Sequence, residues 1–183
     1  MFPIVALLIF CNTVFAKTIR VGKNQPYQKI QAARNASLAG DTIMVEAGNY
    51  YEKNLVVNKS VMLIGIGYPV LNGEFKYEII SVKANHVSIL GFKLVQSGVS
   101  SIVDIAGIKT YDCRDILIAG NILDDTFFGI YIQDGTNCII KNNKLVASAK
   151  TEQESGNGIH CWKSDSLQII GNSITGHRDG IDF

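Results

Sequence analysis

Three stretches in the second half of the chain repeat one pattern: AGIKTYDCRDILIAGNIL (residues 106–123), FGIYIQDGTNCIIKNNKL (128–145) and NGIHCWKSDSLQIIGNSI (157–174). Each contains a Gly-Ile pair, at Gly107, Gly129 and Gly158, and a fourth pair stands at Gly180. An asparagine follows each of the first three glycines at one constant interval, at Asn121, Asn143 and Asn172. This regularity indicates an internal repeat of about 22 residues.

Apolar residues alternate with mixed ones in the aligned copies, and two weaker copies at residues 59–67 and 85–94 extend the alignment. Two apolar columns result: Leu63, Ile89, Ile118, Ile140 and Ile169, and two positions earlier Val61, Val87, Ile116, Cys138 and Leu167. A period of two predicts short strands. A unit of this length cannot bury its apolar side alone, so the copies must stack.

The predicted fold is therefore all-β: a single-stranded right-handed parallel β-helix of five to six coils, each of about 22 residues. Its handedness follows from the general preference for right-handed crossover connections. The asparagine column is expected to form an amide ladder at a turn, because stacked asparagines satisfy backbone groups coil after coil.

The two ends of the stack differ. Residues 26–39 predict a helix that begins at Pro26, ends before Gly40-Asp41 and covers the first coil. Residues 179–183 begin a new coil without a comparable cap, so we expect the chain to be part of a longer stack.

The first residues have the features of an export signal. The apolar stretch Phe2–Phe10 is too short to cross a bilayer, and Val14-Phe15-Ala16 places small residues where signal peptidase cuts. We expect a signal peptide over residues 1–16, a β-helix domain over 17–183, and a periplasmic or secreted location. A buried N-terminal strand is the alternative.

Composition and cysteine content narrow the possible classes of function further. The chain has 17 Lys and Arg against 16 Asp and Glu, so no basic surface for nucleic acid is expected. Three cysteines follow the signal, an odd number that does not describe a disulfide framework. The alternation places Cys138 and Cys161 in the core, and the turn 112–115 leaves Cys113 more exposed.

The Gly-Ile strands also predict a functional face. Each isoleucine points inward, so the next residue points outward and forms a row: Lys109, Tyr131, His160 and Asp182. A second row contains Tyr111, Gln133 and Trp162. Aromatic and polar rows of this kind suit sugar chains, and an imidazole beside a carboxylate and a phenol can abstract a proton. The alternative is an ordinary solvated face.

One corner of the coils varies in length. Long connections, over 94–107 and 145–158, alternate with short ones, over 123–129 and 174–180. Two long loops should therefore form walls above the short turn 124–128 and create a cleft. His177, Arg178 and Asp179 would then stack beside residues 155–157, with Glu154 close enough for a charge-assisted contact.

We therefore hypothesise a partner- or metal-contacting corner built by Glu154, His160, His177, Arg178 and Asp179. Alternatively, Arg178 and Asp179 only tie the turn to its own backbone, and the two histidines are surface or turn residues.

Three further stretches resemble the NosD family: residues 17–53, ESGNGIHCW (154–162) and GHRDGIDF (176–183). The resemblance implies an exported, non-enzymatic β-helix protein that assists nitrous oxide reductase maturation. It also implies ABC transporter subunits and a reductase or copper chaperone as partners, and copper as a possible cofactor. His160 and His177 are the candidate ligands, although no clustered His or Cys accompanies them.

A NosD-type scaffold is thus the leading expectation. The alternative is a carbohydrate-binding or carbohydrate-active solenoid, lyase- or epimerase-like, that uses Lys109, Tyr131, His160 and Trp162 to hold a polysaccharide.

Overall fold

A computed structural model describes residues 15–148, 151 and 154–183 of the 183-residue chain. Its helices and strands, in chain order, are β1 (Thr18–Val21), α1 (Ile30–Ala36), β2 (Thr42–Val45), β3 (Asn49–Tyr50), β4 (Leu55–Val57), β5 (Met62–Gly65), β6 (Val70–Asn72), β7 (Ile80–Val82), β8 (Ser88–Leu90), β9 (Lys93–Val95), β10 (Ala106–Tyr111), β11 (Leu117–Ala119), β12 (Ile122–Asp124), β13 (Phe128–Gln133), β14 (Ile139–Lys141), β15 (Lys144–Val146), β16 (Ile159–Trp162), β17 (Gln168–Ile170), β18 (Ser173–Thr175) and β19 (Ile181–Asp182). The predicted signal peptide lies almost wholly outside the described residues.

The strands form three parallel sheets, and each full coil contributes one strand to each sheet. Sheet A has the order β1-β2-β5-β8-β11-β14-β17, sheet B has β3-β6-β9-β12-β15-β18, and sheet C has β4-β7-β10-β13-β16-β19. Every strand inside a sheet therefore pairs with its equivalents one coil earlier and one coil later, and the strands at the sheet ends pair on one side. This arrangement confirms the predicted parallel β-helix.

The register of sheet A confirms the predicted apolar column. Leu63 pairs with Ile89, then Ile118, Ile140 and Ile169 follow in the same line. These positions face the interior, where they and their neighbours from sheets B and C form one continuous core. Burial of this column, repeated in each coil, is the main source of stability.

The corner between sheets A and B is held by the predicted asparagine ladder. The Asn143 amide donates to the Ile118 carbonyl at 3.0 Å and to Asn172 Oδ1 at 2.9 Å. Its own oxygen accepts from the backbone N–H and the amide of Asn121, at 3.0 and 3.1 Å. The hydrogen bonds of this buried side chain are thus made within the stack.

The capping helix is shorter than the sequence predicts. It spans Ile30–Ala36 rather than residues 26–39, because the chain around Tyr27 runs extended and bridges Val21. Lys29 keeps extended backbone angles as the N-cap. Ile30 and Ala33 are buried against β1, β2 and β4, so α1 does cover the start of the stack.

The cysteines follow the prediction in two of three cases. Cys138 and Cys161 are buried in the core as expected. The expectation for Cys113 was wrong, because its side chain is only 3% exposed and its Sγ donates to the carbonyls of Tyr111 and Val82. Burial raises the pKa of all three thiols, that of Cys161 to about 12. These thiols are packing groups.

Within the described ranges, no helix is both long enough and apolar enough to span a membrane.

Candidate functional site

The outer face of sheet C carries the row that the sequence predicts. Parallel pairing places Lys109 beside Tyr131, Tyr131 beside His160, and His160 beside Asp182. The first two residues of the row are not solvated, however, because Lys109 and Tyr131 are only 5% and 4% exposed. The preceding long loop helps to shield Lys109 from solvent, since Lys109 Nζ donates to the backbone carbonyl of Asp104 at 3.1 Å.

His160 is oriented by the last described coil. Its Nδ1 lies 2.7 Å from Asp182 Oδ2, and the Asn157 amide donates to the same oxygen at 3.0 Å. A carboxylate only accepts hydrogen bonds, so Nδ1 carries a proton in this contact. The lone pair of a neutral His160 is therefore at Nε2, as in imidazoles that a carboxylate orients for acid–base work.

Aromatic rings surround this histidine. The Tyr131 ring meets it edge-on with centroids 4.6 Å apart, Phe128 packs at 5.5 Å, and the Trp162 indole is stacked with an interplanar angle of 21° at 6.4 Å. Trp162 is 49% exposed, in contrast to the buried Tyr131. The Trp162 indole is thus presented to solvent at the edge of a cluster of buried rings.

A pocket of about 400 Å³ opens at this surface, and we call it the row pocket. It is lined by Asp104, Tyr131, Gln133, His160 and Trp162. Burial, together with the charge and hydrogen bond of Asp104, raises the pKa of Tyr131 to about 12. Tyr131 therefore stays protonated at neutral pH and acts as a hydrogen-bond donor, not as a base.

A second polar cluster continues the face one and two coils earlier, and sequence reasoning missed it. The Tyr111 hydroxyl contacts both oxygens of Glu78, at 3.0 and 3.1 Å, and Ser81 donates to Glu78 as well. Burial raises the pKa of Glu78, and Lys109 and Lys83 oppose that rise. Ser81 pairs in register with Lys109, so it belongs to the same outward row. The sequence does not indicate this, because β7 contains no Gly-Ile pair.

The corner between sheets B and C contains the predicted cleft. A pocket of about 410 Å³, here the corner pocket, lies at the short turn and is lined by described residues of both long loops. Its lining residues are Phe75, Ser97, Val99, Asp125, Thr126, Phe127, Ala147, Ser148 and Glu154.

The turn formed by residues 177–179 stacks beside residues 155–157 as predicted. The Arg178 N–H donates to the Gly156 carbonyl, and its Nη2 donates to Asn157 Oδ1 at 2.9 Å. Arg178 also pairs with Asp179 at 3.1 Å. The predicted contact of Glu154 with this turn stays a prediction, and Glu154 itself lines the corner pocket.

The two histidines have different surroundings. Both ring nitrogens of His177 are buried, near the carbonyls of Gly156 and Phe127, and burial lowers the pKa of this ring. His160 instead belongs to the row pocket. Over the part of the chain that the structure describes, no group of three or more His, Cys, Asp or Glu side chains could hold a metal ion.

Comparison with known proteins supplies the family. Residues 34–181 match the family model described as a right handed β-helix region. The chain belongs to this family. The match agrees with the handedness that the sequence predicts for this β-helix protein.

A cell surface glycoprotein of Methanothermus fervidus is 29% identical to the β-helix protein over 133 residues. These residues are 71% of this chain but only 17% of that relative. Two crystal structures of the pectin methylesterase from Aspergillus niger cover 84% of this chain and 66% or 69% of the enzyme, at 16% and 14% identity. Their TM-scores of 0.32 support no argument about the site.

Proposed function

We propose that this β-helix protein binds a carbohydrate chain along the outer face of sheet C. The half-exposed Trp162 beside the polar groups of the row pocket is the observation that carries the proposal. An indole ring offers a flat apolar surface for the C–H face of a sugar, and a site of this kind needs only a few placed polar groups for orientation.

The polar groups of the row pocket have the chemistry that sugar hydroxyls require. The Tyr131 hydroxyl donates to Asp104 and keeps its oxygen as an acceptor, Asp104 is an acceptor as well, and the Gln133 amide offers both functions. Farther along the face, Glu78 and Tyr111 are joined by hydrogen bonds and flanked by Lys83. Coils follow one another about every 4.8 Å, which suits a ligand that extends along the stack.

The proposal includes a location outside the cell or on its surface. The apolar stretch at residues 2–10 supports it, and so does the similarity to a protein that is named as a cell surface glycoprotein. The chain corresponds to 17% of that relative, so the activity of a complete protein of that kind would include other parts.

The test is calorimetric titration with a panel of neutral and acidic oligosaccharides. Trp162→Ala should weaken binding about tenfold, the equivalent of roughly 1.4 kcal/mol, since stacking on an aromatic ring is worth about that much. Tyr51→Ala removes another exposed ring elsewhere on the surface and should leave affinity unchanged. Saturable binding that survives Trp162→Ala, or no binding to any member of the panel, would contradict the proposal.

The same panel also decides whether binding is accompanied by catalysis. The carboxylate-oriented His160 beside the Tyr131 ring is the arrangement that favours a lyase- or epimerase-like reaction. Unsaturated or epimerised products that disappear in His160→Gln would establish an enzyme. Binding without products would leave a binding protein.

A second proposal follows the resemblance to NosD, in which the protein assists copper delivery by docking ABC transporter subunits and a reductase or copper chaperone. One observation favours it: Asn157 joins two of the three stretches that carry the resemblance, because it contacts His160, Asp182 and Arg178. Copper titration and transporter pull-down of the double variant His160→Ala with His177→Ala test it. Unchanged copper binding and unchanged transporter binding in the double variant would contradict this role.

A further inference from the structure

The corner pocket has a composition unlike that of the row pocket. Its lining residues include Phe75, Phe127 and Val99, together with the acidic residues Asp125 and Glu154. Phe75 is largely exposed, although exposure of a phenyl ring to water is unfavourable. Two phenylalanines and two acidic residues therefore line one cavity of about 410 Å³.

Asp125 is the second feature that points to a ligand. Its backbone is left-handed, with φ at 58°, while its N–H donates to the Val146 carbonyl and holds the turn in place. The nearby lysine, Lys93, pairs with the adjacent Asp124 at 3.2 Å. Among the described residues no hydrogen bond or ion pair reaches the Asp125 carboxylate, so a residue that lines the corner pocket carries a partly buried charge without a partner there.

We propose that the corner pocket binds an organic cation, namely the ammonium group of an alkylated or quaternary amine. Aromatic ring faces attract such cations through their quadrupoles, and the attraction grows where water is excluded. The carboxylate of Asp125 supplies the opposite charge at the rim of the cavity. An anion would meet two carboxylates there, and a bare divalent ion would find no cluster of acidic and imidazole ligands in the described residues.

The site is separate from the carbohydrate face. The corner pocket is lined by the B–C corner and its loops, whereas the row pocket is lined by the outer residues of sheet C and by Asp104, and the two linings share no residue. Loss of one binding activity would therefore leave the other measurable.

The deciding experiment compares choline with its neutral isostere 3,3-dimethylbutan-1-ol by NMR titration of the intact chain. Choline should bind at least about fivefold more tightly, because the two probes differ only in the positive charge and a cation–π contact is worth about 1 kcal/mol. Its affinity should also fall as salt is added. Equal affinity for the two probes, or no saturable shift with choline, overturns the proposal.

Two variants and one matched control locate the site. Asp125→Asn and Phe75→Leu should each weaken choline binding about fivefold. Asp134→Asn is the control, because Asp134 is also a non-glycine residue with positive φ, in a turn at another corner of the stack. If Asp134→Asn weakens binding as much as Asp125→Asn does, the effect is one of net charge and the assignment to this pocket is wrong.

A second pair of probes separates the possible sources of the cation. Nα-acetyl-trimethyllysine methylamide presents the quaternary group of choline on a peptide-like frame, and its unmethylated lysine counterpart, with a primary ammonium, is the control. Tighter binding of the trimethyllysine probe than of choline would identify a protein side chain as the ligand, and the reverse order would identify a free small molecule.

Discussion

The two corners that flank sheet B each turn the chain from one sheet to the next, but they are built differently. At the A–B corner, Asn121, Asn143 and Asn172 repeat one side chain in three successive coils and bond to one another and to the backbone. At the B–C corner, short and long connections alternate, and pockets open between them. The repeated corner holds the stack together, so the variable corner is free to form binding sites.

The largest loss of stability is expected when one side chain of the asparagine ladder is removed. Asn143→Ala removes the side chain's hydrogen bonds and leaves buried donors and acceptors without partners, so we expect the free energy of unfolding to fall by about 3 kcal/mol. Urea denaturation measures it. Lys144→Ala, an exposed neighbour, is the control, and equal losses in the two variants would show that the ladder has no special role.

The next effect concerns the glycine that begins each strand of sheet C after the variable corner. A Cβ at Gly129 would lie 2.4 Å from the Gly158 carbonyl oxygen and 2.4 Å from Leu145, whereas a Cβ at Gly180 would meet nothing within 4 Å. Gly129→Ala should therefore destabilise the fold by about 2 kcal/mol. Gly180→Ala should change stability by less than about 0.5 kcal/mol. Similar thermal midpoints for the two variants would contradict the observed close approach.

A smaller effect should appear only at acidic pH. Burial lowers the pKa of His177, so between about pH 6.5, the usual value for an unfolded chain, and the lowered value the unfolded state binds more protons than the folded one. Stability should rise with pH through this window, and acidification through it should lower the free energy of unfolding.

His177→Gln should flatten that slope, which chemical denaturation at a series of pH values measures. His86→Gln removes a histidine from the surface and serves as the control. An unchanged slope in His177→Gln would mean that the buried ring does not govern the acid response of this corner.

The smallest effect is expected for the exposed ion pair of the variable corner. Arg178→Ala removes the contacts with Asp179 and Asn157, but both charged groups are about half exposed, so the loss should be under about 0.5 kcal/mol. Arg114→Ala, another exposed arginine, is the comparison in the same denaturation series. A loss as large as that of Asn143→Ala would make the turn at residues 177–179 a structural element equal to the ladder.

The parts predicted correctly all depend on residues that recur. Ile118, Ile140 and Ile169 share a column because each occupies the same place in its coil, and the same logic gave the row that includes Tyr131 and His160. Because the coils repeat, the places of these residues can be predicted from a single sequence, since parallel pairing in register follows from the repeat length.

The parts that were missed depend on residues that occur once. Cys113 is buried by its own turn, Lys109 is covered by a loop that no other coil has in the same form, and Glu78 lies in a coil without the Gly-Ile marker. Burial at such positions results from contacts between segments that differ in every coil. The aligned repeats therefore do not indicate which of these residues are buried.

The amino-acid sequence alone specifies the architecture of this protein: parallel coils, a ladder of asparagines and an outward row on one face. The folded structure was needed to decide which members of that row reach solvent, and that the corner loops enclose a cavity with Asp125 and two phenylalanines. The physical reason is that strand register is set by a period that each coil repeats, whereas exposure and pocket shape depend on how non-repeating loops pack over that frame.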